Sequence, residues 1–255
     1  MGELQISGLS KAYESKASWN QMRSLLVFSD ISFTVADGEF VTIIGASGCG
    51  KSTLLNMAAG LTPVSSGSIY LDGKPVKGPG LDRGIVFQEF ALFPWLNVIG
   101  NVLFGLKSKN VPRRQRNTLA QKYVDLVSLS GFENYYPYRL SGGMRQRVGL
   151  ARALAIEPSA LLMDEPFGAL DAQTRESMQT ALNDIWMKTR NTILFITHDI
   201  REAIYLSDRV LVLAGRPAEI VLELVVDLPR PRGRYDPKFQ ELELRLEKAI
   251  GGHAS

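Results

Sequence analysis

Residues 45–53, Gly-Ala-Ser-Gly-Cys-Gly-Lys-Ser-Thr, set Gly45, Gly48 and Gly50 ahead of Lys51, Ser52 and Thr53, with Ser47 and Cys49 between them. Glycines let a backbone curl until successive N–H groups face one anion, a lysine adds positive charge, and a hydroxyl is a hard oxygen ligand. The chemistry that calls for this set is the cradling of a polyphosphate. Lys51 is placed to reach the β- and γ-phosphates, Ser52 to ligate Mg2+ and Thr53 to support the α-phosphate. A strand-like segment, 40–44, precedes the run and a helical pattern, 54–59, follows it. A bare flexible turn has no need of those flanks, whereas a helix start contributes its dipole to an anion.

Two further groups fit the same chemistry. The apolar residues 160–163 end in Asp164 and Glu165, and in an open α/β sheet ligands gather beyond the carboxyl ends of the strands. Adjacent strand residues point to opposite faces, so the two acids divide the work: Asp164 holds Mg2+ and Glu165 polarises an attacking water. Standing alone, the pair reads by default as a solvated turn; the phosphate loop in the same chain is what gives it weight. Ser141-Gly142-Gly143 opens a helical pattern over 144–156. Ser141 is placed as its N-cap, and a Ser-Gly-Gly start bares several N–H groups, a second anion site with no lysine beside it. Ordinary capping explains Ser141 as well.

The elements that must position these residues alternate short β-branched runs with helical stretches, which predicts an α/β fold with a mainly parallel sheet. Strand-like pieces and turns in 1–37 and 64–86 predict a small antiparallel region, and 96–158, poor in strand signals, an inserted helical subdomain. The expected organisation is a core with its antiparallel part over 1–95, the helical part over 96–158, the rest of the core over 159–228, and a tail helix over 229–255. In that tail Asp236 is the expected cap, Pro237 the first-turn proline, and Phe239, Leu242, Leu246 and Ile250 the docking face.

Composition narrows the class. With 255 residues and 45% hydrophobic content the chain has enough to bury a core. No apolar run approaches the ~18 residues that cross a bilayer, and the first residues do not resemble a secretory signal. A net charge of +3 is too small an excess to suggest nucleic acid, and the basic clusters at 113–116 and 230–234 suit solvated faces. The single cysteine, Cys49, excludes an internal disulfide and suits a reducing compartment. Its place near Lys51 and a helix start favours a reactive thiolate, while a small residue with its sulfur turned into the core satisfies the motif equally.

Residues 140–147, Leu-Ser-Gly-Gly-Met-Arg-Gln-Arg, together with the loop at 45–53 and the acids at 164–165, resemble the motifs of ATP-binding-cassette (ABC) transporter ATPases, and the likeness covers nearly the whole chain. It implies ATP and Mg2+ as cofactors, and a head-to-tail dimer in which Ser141, Gly142 and Gly143 of one copy close on the γ-phosphate held by the other. It further implies that Gln88 contacts Mg2+ and the attacking water, that Asp171 lies in the loop crossing the dimer seam, and that His198 holds the γ-phosphate. A packed polar residue, a helix cap and a structural histidine are the plainer explanations; the other histidine, His253, lies in the tail. Tyr13 resembles the aromatic that stacks on adenine, although the 13 residues between Tyr13 and Val27, Trp19 among them, exceed the family's usual spacing.

The stretch 93–98, Phe-Pro-Trp-Leu-Asn-Val, lies where such ATPases meet the coupling helix of a membrane subunit, unless it is a packed turn. Its wording and the short tail resemble importers of the nitrate, sulfonate and taurine group. The implied partners are a second copy, two integral-membrane permease subunits and, indirectly, an extracytoplasmic solute-binding protein, with no nucleic acid. The implied place is the cytoplasmic face of the inner membrane. Exporter ATPases are the nearest rival. Cassette proteins acting on ribosomes or DNA carry a second cassette, a coiled-coil insertion or a basic arm, and a P-loop kinase has no use for the motif at 140–147.

Overall fold

The computed structural model describes residues 2–18 and 21–252; Trp19 and His253 lie outside them. In chain order the elements are β1 (Leu4–Ser18), β2 (Gln21–Val35), β3 (Phe40–Gly45), α1 (Lys51–Ala58), β4 (Ser66–Leu71), β5 (Lys74–Pro75), β6 (Arg83–Val86), α2 (Val98–Ser108), α3 (Arg113–Leu126), α4 (Gly142–Ala155), β7 (Ala160–Asp164), α5 (Ala172–Thr189), β8 (Thr192–Ile196), α6 (Ile200–Leu206), β9 (Arg209–Gly215), β10 (Ala218–Val225) and α7 (Pro237–Gly251). They divide into two compact units, 1–79 with 192–255, and 80–191.

In the first unit the strands run β5-β4-β1-β2-β10-β9-β3-β8. The pairs β5–β4, β4–β1, β1–β2 and β10–β9 are antiparallel, whereas β3 is parallel to both β9 and β8. Every residue of β3 and β8 is buried, as expected for parallel strands covered on both faces. The α/β class expected from the sequence is the fold observed, with a mixed sheet. Helix α7 begins at the Asp236 cap, whose side chain accepts from Lys238 N, with Pro237 in the first turn. It buries Phe239 and Leu246 completely while packing on α6 and β9; Leu242 and Ile250 are only half-buried.

The second unit pairs β6 and β7 in parallel, from Arg83 opposite Ala160 to Val86 opposite Met163. Residues 83–86 were expected in the antiparallel region. They leave it because Asp82 O accepts from both Ser159 N and Ala160 N, which fastens β6 to the start of β7. Around this pair, α2 packs on α3 and α4, and α4 packs on β6 and α5. Leu106, Val124, Val148 and Leu154, all buried, fill the helical core. Burying each such side chain contributes about 1.5–3 kcal/mol before the entropy of ordering it is set against the gain.

Candidate nucleotide-handling site

The loop between β3 and α1 belongs to the first unit. Gly50, the N-cap of α1, sits at φ 97°, a left-handed conformation that a side chain disfavours. A β-carbon there would also stand 2.5 Å from Val27 Cγ1. Val27 is the extra residue of a β-bulge, because Lys11 pairs with Phe28 and Ala12 with Leu26; bulges re-aim side chains, and this one sets Val27 against the loop. Lys51 is 6% exposed. Its ammonium donates to Gly45 O at 2.9 Å and Ala46 O at 3.0 Å, and lies 3.9 Å from Cys49 Sγ. Ala46, Ser47, Gly48 and Ser52 are exposed and Thr53 is half-buried. The loop thus offers an open rim above a buried cation.

Cys49 departs from the expectation of an accessible thiolate. It is 6% exposed, and a β-carbon on Gly45 would come within 3.1 Å of its sulfur. The motif accepts a small residue here whose sulfur packs inward, against Gly45 and the lysine.

Tyr13 lies on β1 opposite Leu25, 43% exposed, with Lys11 Nζ 4.8 Å from its ring centre. Residues 14–18 and 21–26 continue the hairpin, with pairs running on from Tyr13–Leu25 to Ser18–Gln21. The long spacing is therefore an extended ribbon, and Tyr13 stands on it just beyond the bulge. His198 follows β8 and is exposed. Beside it Thr197 Oγ1 accepts from Asp199 N, and Asp199 caps α6 by accepting from Glu202 N.

In the second unit Asp164 ends β7, and Glu165 follows at φ 41°. A left-handed non-glycine residue is uncommon and costs conformational energy. Both Asp164 and Glu165 are half-buried. Gln88, two residues past β6, is exposed, and a β-carbon at Gly168 would stand 3.2 Å from its Nε2. Gly168 N in turn donates to Glu165 O at 3.0 Å.

Ser141 caps α4 by accepting from Met144 N at 3.3 Å, and Asp171 caps α5 by accepting from Thr174 N at 3.0 Å. That Thr174 N–H holds the Asp171 carboxyl below the usual carboxylate range. The two helix starts meet: a β-carbon on Gly143 would stand 2.6 Å from Thr174 Cγ2. Between them opens a groove of about 450 Å³ lined by Ser141, Gly143, Met144, Arg147, Gln173 and Thr174. Gly142 is half-buried at the first turn. The capping explanation of Ser141 holds, and the cap engages only one of the first-turn donors.

Trp95 is 70% exposed. Its ring centre is 5.5 Å from that of Phe93, which is 4.4 Å from Phe104 and carries the Arg152 guanidinium at 5.5 Å. The turn beneath is held by Asn101, whose amide bonds to Phe93, Leu96 and Asn97 carbonyls. Asn101 and Thr174 carry no sequence signal as single polar residues; only the packing shows what they hold.

The profile described as ABC transporter matches residues 28–168, just over half of the chain. An ABC transporter ATP-binding protein of Methanocaldococcus jannaschii is 48% identical over 96% of this chain and 90% of its own length. The taurine import ATP-binding protein TauB of Burkholderia pseudomallei is 48% identical over 98% and 97%. The nitrate import ATP-binding protein NrtD of Synechocystis is 49% identical over 89% and 83%. A dimeric post-hydrolysis ATP-binding cassette bound to ADP and Pi superposes with a TM-score of 0.74 at 30% identity, covering 90% of this chain and 99% of the other.

Proposed function

The chain belongs to the ABC transporter family, and from that premise we propose that it is the ATP-hydrolysing subunit of an importer of a small anion such as taurine, another sulfonate or nitrate. The loop at Lys51 carries this reading: a buried ammonium beneath the exposed rim of Ala46, Ser47 and Gly48 at a helix start suits the β- and γ-phosphates of ATP. Full-length similarity to taurine and nitrate import ATP-binding proteins supports the solute class.

In this reading Tyr13 stacks on adenine, Thr53 supports the α-phosphate, Glu165 polarises water, Gln88 contacts Mg2+ and that water, and His198 holds the γ-phosphate. We assign Mg2+ to Ser52, Gln88 and Asp164, each of which has a hard oxygen to offer. Among the described residues no cluster of three or more acidic, histidine or cysteine side chains encloses a metal, and Mg2+ is ordinarily held by one or two side chains with phosphates and water. When bound, it neutralises charge on the phosphates. Ser141, Gly142 and Gly143 serve the nucleotide of a second copy, with Asp171 at the seam; the likeness to a dimeric cassette supports a dimer.

Among the described residues no helix is long and apolar enough to cross a membrane. We assign membrane attachment to two permease subunits, met through Trp95 and its aromatic neighbours at the cytoplasmic face, with a solute-binding protein acting on the far side. The test is reconstitution: the chain with its permease pair in proteoliposomes takes up taurine, a sulfonate or nitrate only with MgATP. Outward movement of solute under the same conditions would make it an exporter subunit instead.

A further inference from the structure

Gln146 is 1% exposed, and neither its Nε2 nor its Oε1 has a hydrogen-bond partner in the protein. An amide buried in this way costs free energy, and native structures rarely leave both of its atoms unpaired.

Its position shows what lies around it. At 100° per residue, Gln146 shares a face of α4 with Gly142, Gly143 and Gly149. A β-carbon on Gly142 would stand 3.2 Å from Leu170 Cδ2 and 3.9 Å from Phe90 Cζ, one on Gly143 2.6 Å from Thr174 Cγ2, and one on Gly149 3.5 Å from Phe90 O. The face of α4 that carries Gln146 therefore packs between the segment after Gln88, represented by Phe90, and the segment around Asp171, represented by Leu170 and Thr174. Arg145, the preceding residue, stacks its guanidinium 5.0 Å from the Phe90 ring centre, which ties the same helix to the same segment.

We propose that Gln146 is a positioning residue, a hydrogen-bonding latch that the Gln88 and Asp171 segments engage when they close for hydrolysis. One donor pair and one acceptor on a single side chain can serve both segments at once. In their present arrangement neither segment offers a backbone group to the amide. The cost of the orphaned amide here, relieved on closure, biases the two segments to move together. This rests on the ATPase reading above.

The test is Gln146→Met, which keeps the volume and removes the polar atoms, measured beside wild type. Expected are an unchanged or raised melting temperature, an unchanged KM for ATP, and kcat reduced by at least about tenfold, within the ~100-fold that misplacing catalytic groups can cost. Expected too is a weaker MgATP-induced dimer when the change is made in a Glu165→Gln background, a readout independent of turnover. A lowered melting temperature with unchanged kcat and dimerisation would mean that a buried water already satisfies the amide, and would overturn the latch. A fall in kcat accounted for by loss of folded protein overturns it equally. Wild-type protein without MgATPase activity would instead sink the ATPase reading, and the latch with it.

Discussion

Gln88 and Glu165 each lie two residues beyond Val86 and Met163, the last pair of the parallel strands β6 and β7. Both leave the carboxyl end of the strand pair, and Gly168, whose N–H returns to Glu165 O, lies against the Gln88 amide. In the proposed reading the acid accepts a hydrogen bond from one water molecule and the amide orients it.

Glu165→Gln should therefore keep ATP binding and lower turnover by about 10²–10⁴-fold, the usual worth of a positioned general base. The amide preserves size and leaves the loop at Lys51 untouched. Trapping ATP in this way should yield a MgATP-dependent dimer in sedimentation analysis. Turnover close to the wild-type rate would show that Glu165 is not the catalytic carboxylate.

The sharing of sites between two copies is open to complementation. Lys51→Ala removes the ammonium that sits 2.9 Å from Gly45 O, and Ser141→Arg fills the start of α4. Each variant alone should be nearly inactive. Mixed, a fraction of heterodimers carries both lesions in one composite site and neither in the other, so MgATPase activity should return in part. Full activity of wild type as a strict monomer at every concentration contradicts the shared site.

How far the sequence specified this molecule differs by residue. Lys51, Ser141 and the two acids were legible because their chemistry demands a spacing: glycines before a lysine, a hydroxyl at a helix start, carboxylates after an apolar strand. The caps at Ser141, Asp171 and Asp236 were legible for the same local reason. The strand β6 was misjudged because partner choice is a long-range matter, decided here by Asp82 O and the chain at 159–160. The left-handed Glu165 and the orphaned Gln146 have no local signature, since strain and burial exist only once the surrounding packing does.

Trp95 is exposed enough that truncating it should cost the isolated chain little. Trp95→Ala should change stability by no more than about 0.5 kcal/mol, as for ordinary surface positions, rather than the ~3–5 kcal/mol of a buried aromatic. The same change should weaken capture of the permease subunits while leaving nucleotide binding intact, because the indole lies on a surface patch with Phe93 and Phe104. A drop of several kcal/mol in denaturant titration would mean that the ring supports the fold.

Cys49 offers a test of the loop itself. With its sulfur packed toward Gly45 and 3.9 Å from the Lys51 ammonium, the buried thiol lacks the access that a bulky electrophile needs. Maleimide should therefore label the folded protein far more slowly than the denatured chain. Cys49→Ser, which keeps a small side chain, should hydrolyse ATP at a near wild-type rate. Labelling, once forced to completion, should abolish ATP binding, because the adduct must displace Lys51 or the Gly45 backbone from the cradle. Rapid stoichiometric labelling of folded protein with full retention of MgATPase activity would contradict both the burial of the sulfur and the assignment of this loop to the phosphates.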